Sequence, residues 1–260
     1  MLSDNTIKVE IDHGPTSRNS DVMMGGQLSD HSNTPIVDDG IGISARGYEV
    51  YPKSGIVIFL DVLGIKRMWQ ELQPIEIVNN WKKVIRSFMH VVQERPINAG
   101  YFFRVLSDTI IITIPSELNP SIINRTFDLL LEPFIESIKT RMLLRGVVSH
   151  GRYYLSQQLI IGPAVDDAAS HHAKLDWIGI AISPNVSTRV NNIVNNSVIY
   201  YHDIPLKNLH YPGVALNWPN FDSNGQCYRI LQEEKIKADA SSKVKYDNTL
   251  KFYNEVGVQP

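Results

Sequence analysis

The chain has 260 residues, 43% hydrophobic, 20% charged and 9% aromatic, which is the make-up of an ordinary globular protein and excludes collagen-like, coiled-coil or wholly disordered chains. A formal charge of −2 supplies no global positive field for wrapping nucleic acid or lying on an anionic membrane. The single cysteine, Cys227, excludes an intrachain disulfide or a cysteine zinc cluster and fits a reducing compartment. No run reaches the roughly 18 apolar residues of a membrane span, and the N-terminus lacks a basic region followed by an apolar segment. A soluble, cytoplasmic protein with neither nucleic-acid nor membrane partners is therefore expected.

Residues 1–45 hold no Phe, Tyr or Trp and carry seven acids against two basic residues. So little apolar surface cannot offset the entropy of ordering, which predicts a flexible acidic tail over 1–45. From residue 54 the pattern sharpens, and Gly55-Ile-Val-Ile-Phe-Leu-Asp61 reads as a strand buried on both faces and ending at a carboxylate. The Val62-Leu63-Gly64 turn leads into helix, interrupted near Pro74 and resuming over 76–93 with apolar Ile77, Trp81, Val84, Ile85, Phe88 and Val92. Strand-like runs over 101–106 and 109–114 are separated only by Ser107-Asp108, which predicts a tight hairpin with Asp108 at its tip.

An amphipathic helix after Pro120, through Phe127, Phe134 and Ile138, and a strand over 143–149 complete a βαββαβ order. That order is the split βαβ, ferredoxin-like α+β arrangement, with helices on one face of the sheet. A run over 153–161, a helix over 162–175, strands over 179–182 and 197–201, a helix near 186–194 and a surface helix over 243–256 follow. The expected organisation is a tail over 1–45, one domain over 46–205, and a C-terminal extension over 206–260 packed on that domain.

In such a fold Asp61 and Asp108 approach each other although 47 positions separate them. Two facing carboxylates repel unless one is protonated or a cation lies between them, and an oxygen-only donor set selects a hard ion such as Mg²⁺ or Mn²⁺. Taken singly, each acid also fits a blander role, as a helix cap or as turn chemistry. The amides of the glycine turn, at a helix start, favour phosphate oxygens.

Four stretches carry a resemblance. IVIFLDVLGIKRM resembles the first-metal motif of class III nucleotidyl cyclases, and FRVLSDTIII resembles their second-metal hairpin. LLRGVVSHG and LIIGPAVDDAASHHAKLDWIGIAIS resemble the strand, helix and return strand that follow. With Asn217-Trp218-Pro219 and Tyr246-x-Asn248-Thr249-Leu-Lys-Phe252, the chain most resembles the pyrimidine cyclases of the bacterial Pycsar antiphage system. The resemblance implies conversion of UTP or CTP into 3′,5′-cyclic UMP or CMP, a homodimer with composite sites, and a downstream effector activated by the cyclic nucleotide.

It also implies roles by position. Asp61, Asp108 and the Val62 carbonyl would hold two divalent ions, Mn²⁺ or Mg²⁺, and the amides of Leu63, Gly64 and Ile65 would cradle phosphates. Arg104, a donor-only side chain, would read the carbonyl oxygens of uracil or cytosine. Leu159 falls where purine cyclases keep their second base reader. Asp166 and Ser170 replace the usual Asn and transition-state Arg, so Arg145, His171 and Lys174 are candidate stabilisers. Without one of them the reading would be a catalytically degenerate nucleotide-binding module. His171 and His172 diverge by about 100° on a helix, which argues against a shared metal and for packing or solvent contact. His150 reads as a turn or interface residue, and Tyr153, Tyr154, Trp177 and Trp218 as core or dimer contacts.

Overall fold

Alternation along the first strand decides the architecture. In this computed structural model, which describes residues 51–93, 102–116, 120–156, 159–187 and 196–257, β1 (Tyr51–Val62) points Ile56, Ile58 and Leu60 to one side and Val57 to the other, all fully buried. The sequence predictions for the 1–45 tail, for Tyr101 and for the helix beyond Ser187 lie outside the described residues. After β1 come α1 (Ile65–Glu71), α2 (Pro74–Gln93), the hairpin β2 (Phe102–Leu106) and β3 (Thr109–Pro115), α3 (Pro120–Lys139) and β4 (Leu144–Leu155). β1 pairs antiparallel with both β3 and β4, which places the first strand at the centre of the βαββαβ core.

The chain continues through β5 (Ile160–Ile161), α4 (Pro163–Lys174), β6 (Gly179–Ile182), α5 (Pro184–Ser187), β7 (Val198–Leu206) and β8 (Leu209–Leu216). A 3₁₀ turn (Trp218–Phe221), α6 (Gln226–Lys237) and α7 (Ala240–Val256) complete it. The eight strands form one sheet, ordered β2-β3-β1-β4-β6-β8-β7, with β5 paired to β4.

The side chains of α2 and α3, with Phe88, Phe127 and Phe134, pack against Ile56, Ile58, Leu60 and the buried isoleucines of β3. The helices do not all lie on one face, however. α4 covers the opposite side, where Ala164 and Ala168 meet Val57 and Tyr153. The small alanines let this helix approach the sheet closely, and their spacing of four sets its buried face.

Three further differences from the sequence reading have local causes. The run over 153–161 is two elements, because β4 continues to Leu155 before the chain turns at Ser156, whose amide donates to Leu159 O at 2.9 Å. The C-terminal extension contributes β8, which pairs with β6 and β7, so the sheet runs past residue 206. α7 is more than a surface helix: it buries Tyr246, Thr249, Leu250 and Phe252. Thr249 Oγ1 accepts from Ile178 N at 2.8 Å, and Asn248 Nδ2 donates to Asp176 O at 2.8 Å, so the Tyr246–Phe252 motif grips the link between α4 and β6.

Candidate active site

The end of β1 meets the β2–β3 turn through a backbone hydrogen bond, Val62 N to Asp108 O at 3.0 Å, and Asp61 pairs in register with Thr109. The two acids singled out in the sequence therefore sit at adjoining ends of neighbouring strands, each half-buried. The hairpin is as tight as predicted. Its left-handed residue is Ser107, at φ 57°, in place of the glycine or asparagine that such a turn favours.

Register then fixes which residues share the face of Asp61. One row across the sheet reads Arg145, Asp61, Thr109, Leu106, and the adjacent row Val147, Phe59, Ile111, Arg104. Arg104 thus lies on the face of Asp61, its guanidinium 5.1 Å from the Phe102 ring centre. β4 approaches β1 closely here. A side chain at Gly146 would come within 2.8 Å of Phe59 O and 2.3 Å of Leu60 Cδ2, so glycine at this place is what allows Arg145 to stand opposite Asp61.

Arg145 Nη2 lies 3.3 Å from Asp61 Oδ2, while its Nη1 donates to Leu175 O at 2.8 Å, tying the acid to the C-terminal end of α4. A second side chain approaches from α4 itself. His172 Nε2 lies 3.5 Å from the same oxygen, and its ring sits 4.9 Å from that of Phe59. His172 is therefore neither solvent-facing nor a packing residue alone. The sequence signal for it was the spacing Ala164, Ala168, His172, one helical face at intervals of four, all three buried.

The remaining candidates divide. His171 Nδ1 faces Asp167, 2.9 Å from its carbonyl and 3.2 Å from Oδ1, away from Asp61. Lys174 and Ser170 are exposed, and so is Asp166. Asp167, which the sequence reading passed over, is the centre of a polar cluster. Its Oδ2 accepts from Ser149 Oγ at 2.6 Å, Ser183 Oγ at 2.6 Å and Asn185 Nδ2 at 3.0 Å, fastening α4 to β4 and to the start of α5. Burial, then the Asp167 charge, raises the Tyr211 phenol above its ordinary range. His150 is buried within β4 with Nε2 3.2 Å from Ser116 O, so it is a core position and not a turn. Tyr153, Trp177 and Trp218 are core, whereas Tyr154 is partly exposed.

The turn expected to cradle phosphates departs from that expectation at Leu63. Leu63 N already donates to Leu143 O at 2.8 Å, so its amide anchors the turn to the base of β4 and is not offered to a ligand. Gly64, at φ 74°, adopts the left-handed conformation that glycine tolerates and caps α1, whose Arg67 and Met68 amides return to Gly64 O. Behind the turn lies a cavity of about 90 Å³ whose lining includes Arg67, Arg141, Glu234 and Tyr246. Glu234 is buried and receives Arg67 at 3.2 Å, Lys237 at 3.0 Å and Arg141, so α6 braces the turn from below.

Among the described residues no group of three or more His, Cys, Asp or Glu side chains is gathered into a metal centre. The donors at the strand ends nevertheless suit a hard divalent cation: two carboxylates and the Val62 carbonyl, with the Arg145 contact engaging only Oδ2 of Asp61. No helix among the described residues is long and apolar enough to cross a membrane.

No family model matches the chain, and no curated protein matches it by sequence. Solved structures do match it. The catalytic core of a rhodopsin-guanylyl cyclase with converted specificity, in complex with ATPαS, aligns at TM-score 0.50 and 14% identity, covering 65% of this chain and 98% of that one. The adenylyl cyclase CyaB of P. aeruginosa aligns at TM-score 0.49 and 12% identity over 65% of this chain and 95% of its own. An adenylate/guanylate cyclase/hydrolase from Silicibacter pomeroyi aligns at 0.46 and 18%, over 64% and 97%. The fold is thus the α+β class III cyclase homology domain, extended at its C-terminal side by α6 and α7.

Proposed function

We propose that the chain is a metal-dependent pyrimidine nucleotide cyclase, converting UTP or CTP into 3′,5′-cyclic UMP or CMP and pyrophosphate, as a second-messenger synthase in antiphage defence. The observation that carries this reading is the joining, by the Val62–Asp108 backbone bond, of the strand ends that bear Asp61 and Asp108, on a fold shared with cyclase cores. Pyrimidine choice and the immune role rest on the sequence resemblance, together with Arg104 on the face of Asp61 and Leu159 where a second base reader would fall.

In this reading Asp61, Asp108 and the Val62 carbonyl hold the divalent ions, Mn²⁺ or Mg²⁺. Such ions, when bound, acidify the ribose 3′-hydroxyl and neutralise the triphosphate. The hydroxyl oxygen attacks the α-phosphorus as the bond to pyrophosphate breaks. Arg145 orients Asp61, the amides of Gly64 and Ile65 receive phosphate oxygens, and Arg104 donates to the base. A homodimer would complete each site with α4 of the partner subunit, and a cyclic-nucleotide-activated effector would read the product.

A second reading, a degenerate nucleotide-binding module, is favoured by one observation. Ser170, exposed on α4, stands where the resemblance puts the transition-state arginine, and a lost oxyanion stabiliser costs about 2.7–4 kcal/mol. The test is chromatography of products from each of the four nucleoside triphosphates with Mn²⁺ or Mg²⁺, beside Asp61→Ala and Asp108→Ala. Cyclic UMP or cyclic CMP is expected from the wild type, with at least about a hundredfold loss in each variant. A purine product would overturn the pyrimidine assignment. Binding by calorimetry with no turnover would establish the module instead.

A further inference from the structure

Helix α2 carries two apolar stripes, and the core uses only one of them. Ile77, Val84 and Phe88 are buried and Trp81 packs on the same core, which accounts for the side turned to the sheet. Ile75, Val78, Ile85 and Met89 form the second stripe, which at about 100° per residue falls roughly 110° round the helix from the first. Ile75 is 64% exposed, Met89 39% and Val78 38%, and Ile85 is half-buried. The remaining flank is occupied differently: Glu76, Asn79, Asn80 and Lys83 line a cleft together with Thr140 and Met142, just past the end of α3.

Spacing indicates what fits the second stripe. With Lys82 included, its positions are Ile75, Val78, Lys82, Ile85 and Met89, steps of three and four residues, which is the seam along which one helix packs on another. The seam is about 21 Å long. It spans about 80° of the helix surface, narrower than the face of 100° or more with which a helix beds into a core. Charge then selects the partner. Lys82 stands at the centre of the seam with Arg86 beside it, and neither makes an ion pair with another described residue. Glu76, the one acid of α2, lies on the cleft flank, where its Oε2 accepts from Gln73 N at 3.3 Å. A second copy of α2 therefore brings no acid to the seam. Self-pairing in either direction would leave both copies of Lys82 buried without a neutralising charge, which is costly.

We propose that the outer flank of α2 docks one helix of a different protein, amphipathic and acidic, with an Asp or Glu opposite Lys82. The four apolar positions supply contact area, and the central ion pair fixes register and rejects partners that lack the acid. The inference does not depend on the cyclase reading, because this flank lies on the α2–α3 side of the sheet and Asp61 faces the α4 side.

The test is fluorescence anisotropy of the full chain with a labelled synthetic helix of about three heptads, leucine at its seam positions and glutamate at the central one and along both edges. A second peptide carries lysine at the central position. Thermal midpoints confirm that each variant is folded, which is expected because the substituted side chains are exposed. The wild type should bind the glutamate peptide at least about tenfold more tightly than the lysine peptide, Lys82→Glu should reverse that preference, and Ile75→Ser with Met89→Ser should weaken both peptides at least about tenfold. No binding of the glutamate peptide, or binding that Lys82→Glu leaves unchanged, overturns the inference. Two other results overturn it by naming a different occupant. Self-association of the wild type that Ile75→Ser abolishes, seen by sedimentation velocity, would assign the flank to a second copy. Binding to phosphatidylcholine vesicles with about one-third phosphatidylserine, lost in Lys82→Glu and without any peptide preference, would assign it to a lipid surface.

Discussion

The two faces of the central sheet are made by the same strands and are chemically unlike. On the α2–α3 side, Ile56, Ile58, Leu60, Ile110, Ile112 and Ile114 are fully buried among Phe88, Phe127 and Phe134. On the α4 side, alternate residues of those strands and their neighbours bring Asp61, Thr109, Arg104, Arg145 and Ser149 to the surface of the sheet, where Ser149 meets Asp167 and Asp61 lies beside His172. One face is held by apolar packing, while the other adds charge and hydrogen bonding to a smaller apolar cluster of Val57, Tyr153, Ala164 and Ala168. The period of two in a strand is what allows a single segment, 55–62, to serve both. A substitution should therefore be read first by its face: size changes dominate on the α2–α3 side, and polarity changes join them on the α4 side.

The largest expected effect is on the dry side. Phe134→Ala removes a fully buried ring that packs 5.7 Å from Trp218, and about 3–5 kcal/mol of stability should be lost, measured by urea unfolding. A loss near 1 kcal/mol would show that this layer can collapse into the space and would weaken the contrast between the faces. Next comes the polar side. Asp167→Ala leaves the hydroxyls of Ser149 and Ser183 and the amide of Asn185 without their common acceptor. Because the three donors share one acceptor their losses do not add, and about 2–3 kcal/mol is expected, with Asp167→Asn recovering part by returning an oxygen. If Asp167→Asn is as harmful as Asp167→Ala, charge matters more here than hydrogen-bond geometry.

The same division explains what could be read from the sequence. The dry face announces itself, since β1, the hairpin, α2, α3 and the first half of β4 all carry strong apolar periods, and the two acids mark where those periods stop. α6 does not. Its buried residues are Cys227, Ile230, Leu231 and Glu234, a helical spacing of 0, 3, 4 and 7 whose last place is an acid, and a buried glutamate erases the pattern. Only tertiary structure shows that Arg67, Arg141 and Lys237 gather around it. β8 hides for another reason, because Pro212 and Gly213 interrupt its run and read as a turn. His172 was visible as a residue but not as a neighbour of Asp61, since 111 positions separate them and its adjacent twin His171 faces Asp167.

The smallest effect sits at the tip of the hairpin, where the chain takes a conformation its sequence disfavours. Ser107 holds φ 57°, and a left-handed residue other than glycine costs about 1–2 kcal/mol. Ser107→Gly removes that strain but adds freedom to the unfolded chain, a cost of about 0.5–1 kcal/mol, so the net gain should be about 0.5 kcal/mol. Ser107→Val should lose stability, because a branched side chain is least tolerated at positive φ. The pair of variants separates two origins of the turn. If glycine stabilises and valine destabilises, the hairpin is held in its strained shape by the bond from Val62 N to Asp108 O and by pairing on either side. If neither change registers, the tip relaxes freely, and the approach of Asp108 to Asp61 then depends on the strand register alone.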